Sequence, residues 1–121
     1  VGSNQMIFYF QSKPDKRLTI IRCQAKRQIH EATLCFTKKY FNSMGGFKKN
    51  SQGEGVGLID FNDKNVENIP IDDLMVCVVH KGQTLSKDPF YEYSDHVQPY
   101  NNREIIKKHI DIVDEVVKFY D

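Results

Sequence analysis

The residue types that are best suited to bind a ligand form a glycine-rich stretch, which follows two lysines, Lys48 and Lys49. Glycines leave backbone N–H groups accessible, and successive N–H groups in a turn form a concavity that binds anions. Two ammonium groups beside such a concavity would attract the same anion. We therefore predict an anion-binding loop made of the two lysines together with Ser51, Gly53 and Gly55. A connector whose glycines serve turns and whose lysines are solvated is the alternative.

The cations ahead of this loop are a second group of candidates for anion binding. They are Arg22, Lys26, Arg27, Lys38 and Lys39. Cationic side chains bind the phosphates of a nucleic acid, and a ring such as Phe47 or Tyr40 would stack on its bases. The chain has no sequence signature of an RNA-recognition, KH or zinc-finger module. A solvated helix face would explain the same cations without any ligand.

The formal net charge of +1 conceals a separation of charge along the chain. Residues 1–49 carry ten Lys or Arg and two Asp or Glu, a net charge of +8. Residues 50–121 carry seven Lys or Arg and fourteen Asp or Glu, a net charge of −7. Such a separation favours an anionic partner for the first part of the chain. The alternative is that the two parts neutralise each other in the fold or in an oligomer.

The glycine-rich stretch also resembles part of a cofactor-binding motif. Residues 52–57 (QGEGVG) fit the Q-x-x-G-x-G pattern of acetyltransferases of the GNAT type, in which backbone amides at the start of a helix hold a pyrophosphate. Residues 58–63 alternate in hydropathy like a strand that runs into a turn, so we carry over no activity. The Gly-Lys-Ser/Thr ending of a Walker loop is missing. An enzyme that uses residues 52–57 for a nucleotide or acyl-carrier cofactor is therefore an alternative function.

A group of aromatic residues later in the chain suits the recognition of a partner. Its members are Phe90, Tyr91, Tyr93 and His96. Tyrosine combines contact area with a hydrogen-bonding hydroxyl, and binding residues are common on long loops. An alternative of equal weight is that these rings pack beneath the loop and enlarge a core that contains no tryptophan.

The remaining reactive residue types predict neither a catalytic residue nor a metal site nor a cofactor. Cys23, Cys35 and Cys77 are odd in number and widely spaced, which predicts free thiols in a reducing compartment, the cytoplasm. Cys77 and His80 supply only half of the ligands that a structural zinc site needs. A cysteine nucleophile with a histidine base at His30 or His80 has no supporting local motif.

The first half of the chain predicts a hairpin followed by a helix. Residues 6–10 and 18–23 are rich in branched and aromatic residues, and Pro14 and Asp15 between them favour a turn. In residues 25–41 the apolar side chains recur at helical spacing while the lysines and arginines lie off that stripe. This pattern predicts an amphipathic helix with a basic outer surface.

The second half predicts three strands and a terminal helix. Residues 56–61 alternate like a strand, and residues 74–79 are apolar enough for a central strand, with a buried helix as the alternative. Residues 90–93 fit a short edge strand. An apolar stripe that continues to Tyr120 predicts a packed helix, which a capping box that begins at Asn101 would start.

The order β-β-α-β-β-α predicts an α+β fold, with a mainly antiparallel sheet of four or five strands and two helices on one of its faces. We treat residues 1–5 as an added or disordered extension and residues 6–121 as a single domain. No apolar run is long enough to cross a bilayer.

The sequence thus predicts a small, non-catalytic binding module for an anionic partner, either a nucleic acid or a phosphate-bearing ligand. The basic helix and the glycine-rich loop would contact that partner. A second alternative is a protein–protein assembly subunit, in which the basic part of one copy meets the acidic part of another and forms a homo-oligomer.

Overall fold

The computed structural model describes residues 1–23, 29–47 and 66–120. The chain divides into two compact units. The sheet unit comprises residues 6–22 and 75–121, and the companion unit comprises residues 1–5 and 23–74.

The sheet unit is built on a four-stranded sheet in the order β3-β1-β2-β4. The strands are β1, Gln5–Phe10; β2, Leu18–Arg22; β3, Cys77–Val79; and β4, Val97–Pro99. β1 and β3 are parallel, with Phe8 opposite Cys77, whereas β2 and β4 are antiparallel, with Ile20 opposite Gln98. The sheet is therefore mixed, and the expected α+β fold is confirmed while its mainly antiparallel character is confirmed only in part.

The core of this unit surrounds β1. Residues 6–10 are all buried, with at most 6% of each residue exposed. A strand whose two faces are both covered requires a continuous apolar run, which explains the composition of this segment. The backbone N–H of Phe10 donates to the carbonyl of Arg17 at 2.9 Å. The pairing of the first two predicted strands is thereby confirmed.

For residues 74–79, the predicted strand is correct, but its predicted place at the centre of the sheet is wrong. These residues include a strand rather than a helix, but β3 begins only at Cys77 and lies at an edge of the sheet, not at its centre. A 3-10 turn over Ile71–Asp73 precedes it, and Leu74 still has helical backbone angles. The backbone therefore becomes extended too late for a longer strand, and Leu74 remains 42% exposed.

The predicted edge strand at residues 90–93 is wrong. Asp88–Phe90 forms a 3-10 turn instead, and the edge position next to β2 belongs to β4. Pro99 ends β4 opposite Thr19. Proline lacks a backbone N–H and is tolerated at an edge strand, where one side of the strand needs no partner.

The predicted terminal helix is confirmed as α2, Arg103–Tyr120. It is tied to the sheet by the buried Tyr9, whose hydroxyl donates to the Asp114 carboxylate at 2.9 Å. Burial and this hydrogen bond raise the pKa of Tyr9 to about 12. The tyrosine therefore stays protonated and holds α2 against the central strand at neutral pH.

In the companion unit, distant backbone segments form hydrogen bonds with the first three residues. Gly2 forms an isolated bridge with Asn68. The N–H of His30 donates to the Ser3 carbonyl at 2.8 Å, and the N–H of Cys35 donates to the Val1 carbonyl at 2.8 Å. The first five residues are thus ordered by long-range backbone hydrogen bonds, and the division of the chain at residue 6 stays a prediction.

The predicted helix over residues 25–41 is wrong for residues 29–37 and correct for residues 38–41, while residues 25–28 lie outside the described part of the chain. Glu31–Thr33 is a single 3-10 turn with extended residues on both sides, and α1 covers only Lys38–Ser43. Hydrogen bonds to residues 1–3 hold the segment before α1 in this extended path, which overrides its helical periodicity. α1 then begins where the Thr37 side chain accepts a hydrogen bond from the N–H of Tyr40 at 3.1 Å.

Several predictions lie outside the described residues. They are the strand at residues 56–61 and the glycine-rich stretch at residues 52–57. The placement of two helices on one sheet face stays a prediction as well, because α1 belongs to the companion unit. No helix in the described part of the chain has the length and apolar character needed to cross a membrane.

Candidate functional site

The turn between β1 and β2 concentrates three cations, each of which meets a carboxylate. The Nζ of Lys13 is 3.2 Å from Asp88, the Nζ of Lys16 is 3.7 Å from Asp114, and the Nε of Arg17 is 3.0 Å from Asp15. Asp88 and Asp114 come from the acidic second part of the sequence. For Lys13 and Lys16, carboxylates of the acidic part thus neutralise cations of the basic part, whereas the nearest carboxylate to Arg17 is its sequence neighbour Asp15.

Arg17 makes the most contacts in this turn, and its guanidinium lies between two tyrosine rings. Its guanidinium carbon is 4.2 Å from the Tyr91 ring centroid and 4.5 Å from the Tyr93 ring centroid. One of its terminal nitrogens donates to the backbone carbonyl of Tyr91 at 3.0 Å. Cation–π contacts and hydrogen bonds together fix the guanidinium, so the side chain is a rigid part of the surface.

Asp15 connects this arginine to the hydroxyl of Tyr91. Its Oδ2 accepts hydrogen bonds from the Nε of Arg17 and from the hydroxyl of Tyr91, each at 3.0 Å. Loss of solvent contact raises the pKa of Asp15, but the hydrogen bonds from Tyr91 and Arg17 outweigh that effect and hold the pKa below its ordinary value. The carboxyl is therefore ionised at neutral pH and acts only as an acceptor.

A cavity of about 300 Å³ lies beside this cluster. Its wall combines two guanidinium groups, two tyrosines, a carboxylate and an amide. These residues are Arg17, Arg103, Tyr93, Tyr100, Asp15 and Asn101, and the apolar side chains of Leu18 and Pro99 complete the wall. The beginning of β2, the end of β4 and the first turn of α2 thus meet at one site within the sheet unit.

The elements that surround the cavity are joined by backbone contacts. The N–H of Tyr100 donates to the Leu18 carbonyl at 3.1 Å and continues the pairing of β4 with β2. A terminal nitrogen of Arg103 donates to the Lys16 carbonyl at 3.4 Å, which orients the exposed side chain toward the turn. Lys16 itself has a positive φ of 47°, a conformation that tightens the turn below the cavity.

The predicted recognition aromatics divide between packing and exposure. Phe90 stacks on Phe8 with ring centroids 4.8 Å apart, and Tyr91 meets Phe10 edge-on at 5.1 Å. These two rings enlarge the core. Tyr93 is 53% exposed and lines the cavity, so it alone of the four joins Arg17 and Arg103 there. His96 is exposed outside the cavity wall.

The predicted anion-binding residues are only partly described. Arg22 is exposed on β2, and Lys38 and Lys39 are exposed on α1. Near α1, the ring of Phe47 is 55% exposed and contacts Phe41 edge-on at 5.0 Å. The others lie outside the described residues: Lys26, Arg27, Lys48, Lys49, Ser51, Gly53 and Gly55.

Two of the three cysteines are held in the protonated form. All three are free, and burial raises the pKa of Cys23 and of Cys77, so both stay protonated thiols at neutral pH. Within residues 1–23, 29–47 and 66–120, no group of three or more histidine, cysteine or acidic side chains is arranged to hold a metal ion.

Sequence reasoning missed the cavity and its two arginines. Arg17 counted only as one of many early cations, and Asp15 only as a turn former. Their partners Tyr91 and Tyr93 lie more than seventy positions away, and no local pattern shows that such residues meet. The one local signal was the Asp-x-Arg spacing in the hairpin turn, which brings opposite charges close in sequence but says nothing of the tyrosines.

No protein-family model, no curated protein sequence and no solved structure matches this chain. Any functional assignment therefore depends on the geometry of its own side chains.

Proposed function

We propose that this chain is a binding module for a small phosphate-bearing ligand, which occupies the cavity beside the β1–β2 turn. The observation that carries this proposal is that two arginines, Arg17 and Arg103, line one cavity that is open to solvent. A planar guanidinium matches the geometry of phosphate oxygens and donates several hydrogen bonds at once.

The two arginines contribute differently to the charge of the cavity. Arg17 is paired with Asp15 and lies 3.9 Å from the Glu92 carboxylate, so its charge is largely compensated. Arg103 is exposed, its side chain donates to the neutral Lys16 carbonyl at 3.4 Å, and it forms no ion pair within the described residues. Arg103 therefore supplies the uncompensated positive charge that would attract an anion.

The volume of the cavity favours a small ligand. Sites for small molecules typically enclose roughly 300–1,000 Å³, and this cavity lies at the lower end of that range. Its apolar wall at Leu18 and Pro99 and its exposed Tyr93 ring suit a ligand that carries a ring as well as an anionic group.

A single-stranded nucleic acid bound along α1 is a second candidate. The observation in its favour is the exposed Phe47 ring next to a helix whose Lys38 and Lys39 are both exposed. Rings and cations in one short segment suit base stacking combined with phosphate contacts. The enzyme that uses residues 52–57 and the assembly subunit stay predictions.

The test is a calorimetric titration with inorganic phosphate and with a thymidine decanucleotide across a salt series. We expect phosphate to bind the wild-type protein and to weaken as salt rises, because each phosphate contact competes with salt anions. Arg103→Gln should lower the affinity for phosphate at least tenfold, which corresponds to roughly the 1.4 kcal/mol of a charge-assisted hydrogen bond.

Two sets of variants separate the sites. Lys107→Gln removes an exposed charge from the same helix and should leave phosphate binding unchanged. Lys38→Gln with Lys39→Gln, and charge reversal at Lys48 and Lys49, should change only the binding of the decanucleotide. Phosphate binding that survives Arg103→Gln but disappears on charge reversal at 48 and 49 would overturn the proposal in favour of the loop.

A further inference from the structure

We infer that the ligand of this cavity is a nucleoside monophosphate whose base donates hydrogen bonds from its edge, as guanine does. This inference rests on the proposed function. In it, Arg103 binds the phosphate, the Tyr93 ring stacks on the base, and the Asp15 carboxylate accepts hydrogen bonds from the base edge.

Tyr93 has the properties of a stacking platform. Its ring is 53% exposed, yet the guanidinium carbon of Arg17 lies 4.5 Å from its centroid. An exposed aromatic ring that is already held in place loses little freedom when a base stacks on it. The Arg17 guanidinium covers one face of the ring, so a base would stack on the opposite face, and stacking accepts any base.

Asp15 makes the cavity selective. Its side chain is 42% exposed, and both side-chain donors that bind it use the same oxygen, Oδ2. A carboxylate has about four acceptor sites. The two side-chain donors and the backbone hydrogen bond from Arg17 use three of them, so Asp15 keeps acceptor capacity for one further donor. An acceptor-only group favours a base edge with adjacent N–H donors and disfavours one that presents a ring-nitrogen acceptor. Guanine has the first kind of edge and adenine the second.

The same carboxylate argues against a bare polyanion as the ligand. Asp15 stays ionised because Tyr91 and Arg17 hold its pKa down. A cavity with one compensated arginine, one uncompensated arginine and one carboxylate has a small positive excess charge. It therefore suits a ligand with a single phosphate group and a neutral, donor-bearing ring.

The test is a calorimetric comparison of guanosine monophosphate, adenosine monophosphate, guanosine and ribose 5-phosphate on the wild-type chain. We expect guanosine monophosphate to bind most tightly, and adenosine monophosphate to bind roughly tenfold more weakly because the bond to Asp15 is lost. Guanosine should bind more weakly because it has no phosphate for Arg103. Ribose 5-phosphate should bind more weakly because it has no base to stack on Tyr93.

Variants assign each part of the ligand. Asp15→Asn should remove the preference for guanine over adenine, and Tyr93→Leu should bring guanosine monophosphate close to ribose 5-phosphate. Lys107→Gln is the control, and thermal unfolding of each variant shows whether the fold is retained. Because Asp15 also bonds Arg17, an Asp15→Glu variant serves as the second test: it keeps the charge and should keep the preference for guanine.

The outcomes separate this inference from the proposed function. Equal affinity for guanosine monophosphate, adenosine monophosphate and ribose 5-phosphate, all of it dependent on Arg103, would overturn the inference and keep the phosphate site. Affinities that do not respond to Arg103→Gln would overturn both.

Discussion

The early cations of this chain meet two different environments, in the β1–β2 turn and on α1. In the turn, Lys13, Lys16 and Arg17 each lie within 4 Å of a carboxylate. On α1, Lys38 and Lys39 are exposed, and no ion pair is formed by either within the described residues. Charge that is segregated along a sequence is thus cancelled where long-range contacts bring the opposite sign and persists where they do not.

The aromatic residues of the two regions differ in the same way. Phe10 is fully buried in β1 and meets Tyr91, whereas Phe47 is 55% exposed and contacts only the small cluster of Phe36 and Phe41 among the ring contacts described. In the sheet unit the rings build the core that positions the cavity. Near α1, the ring is left available to a partner.

The largest expected effect follows from this difference in ring burial. Phe10→Ala should lower the free energy of unfolding by about 3–5 kcal/mol, because it leaves a cavity in the core around β1. Phe47→Ala should change it by less than about 0.5 kcal/mol, as for an exposed substitution. Urea unfolding monitored by circular dichroism measures both. Equal losses in the two variants would remove the contrast between the regions.

A smaller effect is expected at the contact that anchors the segment with Tyr91 and Tyr93. Thr19 is fully buried, and its hydroxyl donates to the Phe90 carbonyl at 2.8 Å. Thr19→Val keeps the shape of the side chain but removes this hydrogen bond, so the free energy of unfolding should fall by about 1 kcal/mol. Thr84→Val, at an exposed position, is the matched control. If both variants unfold alike, the anchor makes no contribution.

The two units should also respond to acid in different pH ranges. Burial lowers the pKa of His30 below its ordinary 6.5, and its Nε2 has no hydrogen-bond partner among the described residues. As the pH falls, His30 is therefore protonated in the unfolded chain before it is protonated in the folded one. The companion unit thus loses stability as the pH falls below about 6.5, the ordinary pKa of histidine.

The turn of the sheet unit should lose its ion pairs only in stronger acid. Hydrogen bonds from Lys13 and Ser86 lower the pKa of Asp88 below its ordinary 3.8, so its stabilising contribution is complete above that pH and is lost as the pH falls through the lowered pKa. Amide hydrogen exchange at pH 7.5, 5.5 and 3 measures both units separately. His30→Gln should abolish the loss of amide protection in the companion unit between pH 7.5 and 5.5. His96→Gln is the control and should leave that loss unchanged. Protection in residues 29–37 that does not depend on pH would contradict the role of His30.

The smallest effects concern the surface lysines themselves. Lys13→Gln breaks an exposed ion pair with Asp88 and should lower stability by less than about 1 kcal/mol, while Lys39→Gln should leave it unchanged within about 0.5 kcal/mol. Thermal unfolding at low and at high salt gives both values. A larger loss for Lys39→Gln would show that α1 carries a structural ion pair.

Local pattern predicted the elements that tertiary contacts do not override. The apolar run at residues 6–10 is buried, and the helical periodicity of residues 103–120 matches α2, so strand and helix were predicted correctly. Ile112 and Val116 of the predicted apolar stripe are nevertheless 58% and 49% exposed. Residues 29–37 have helical periodicity as well, but backbone hydrogen bonds with residues 1–3 hold them extended. Periodicity measures how a segment would bury its side chains, and it contains no information on backbone partners that are distant in sequence.

The candidate site was less predictable than the fold for the same reason. Tyr93 was among the predicted aromatics because its residue type suits recognition, but Arg17 and Arg103 meet only because β2, β4 and α2 converge. Their separation in sequence leaves no spacing rule that would join them. The sequence predicts an anionic ligand at residues of another part of the chain, and that ligand stays a prediction, as does the ligand proposed for the cavity.

The most direct test of the central claim is a heteronuclear NMR titration of the wild-type chain with guanosine monophosphate. The account predicts that the amide signals of Tyr93, Tyr100, Asn101 and Arg103 shift with one common saturation curve, while those of Lys38, Lys39 and Phe47 stay in place. Shifts confined to α1, or no saturable shift around the cavity, would contradict it.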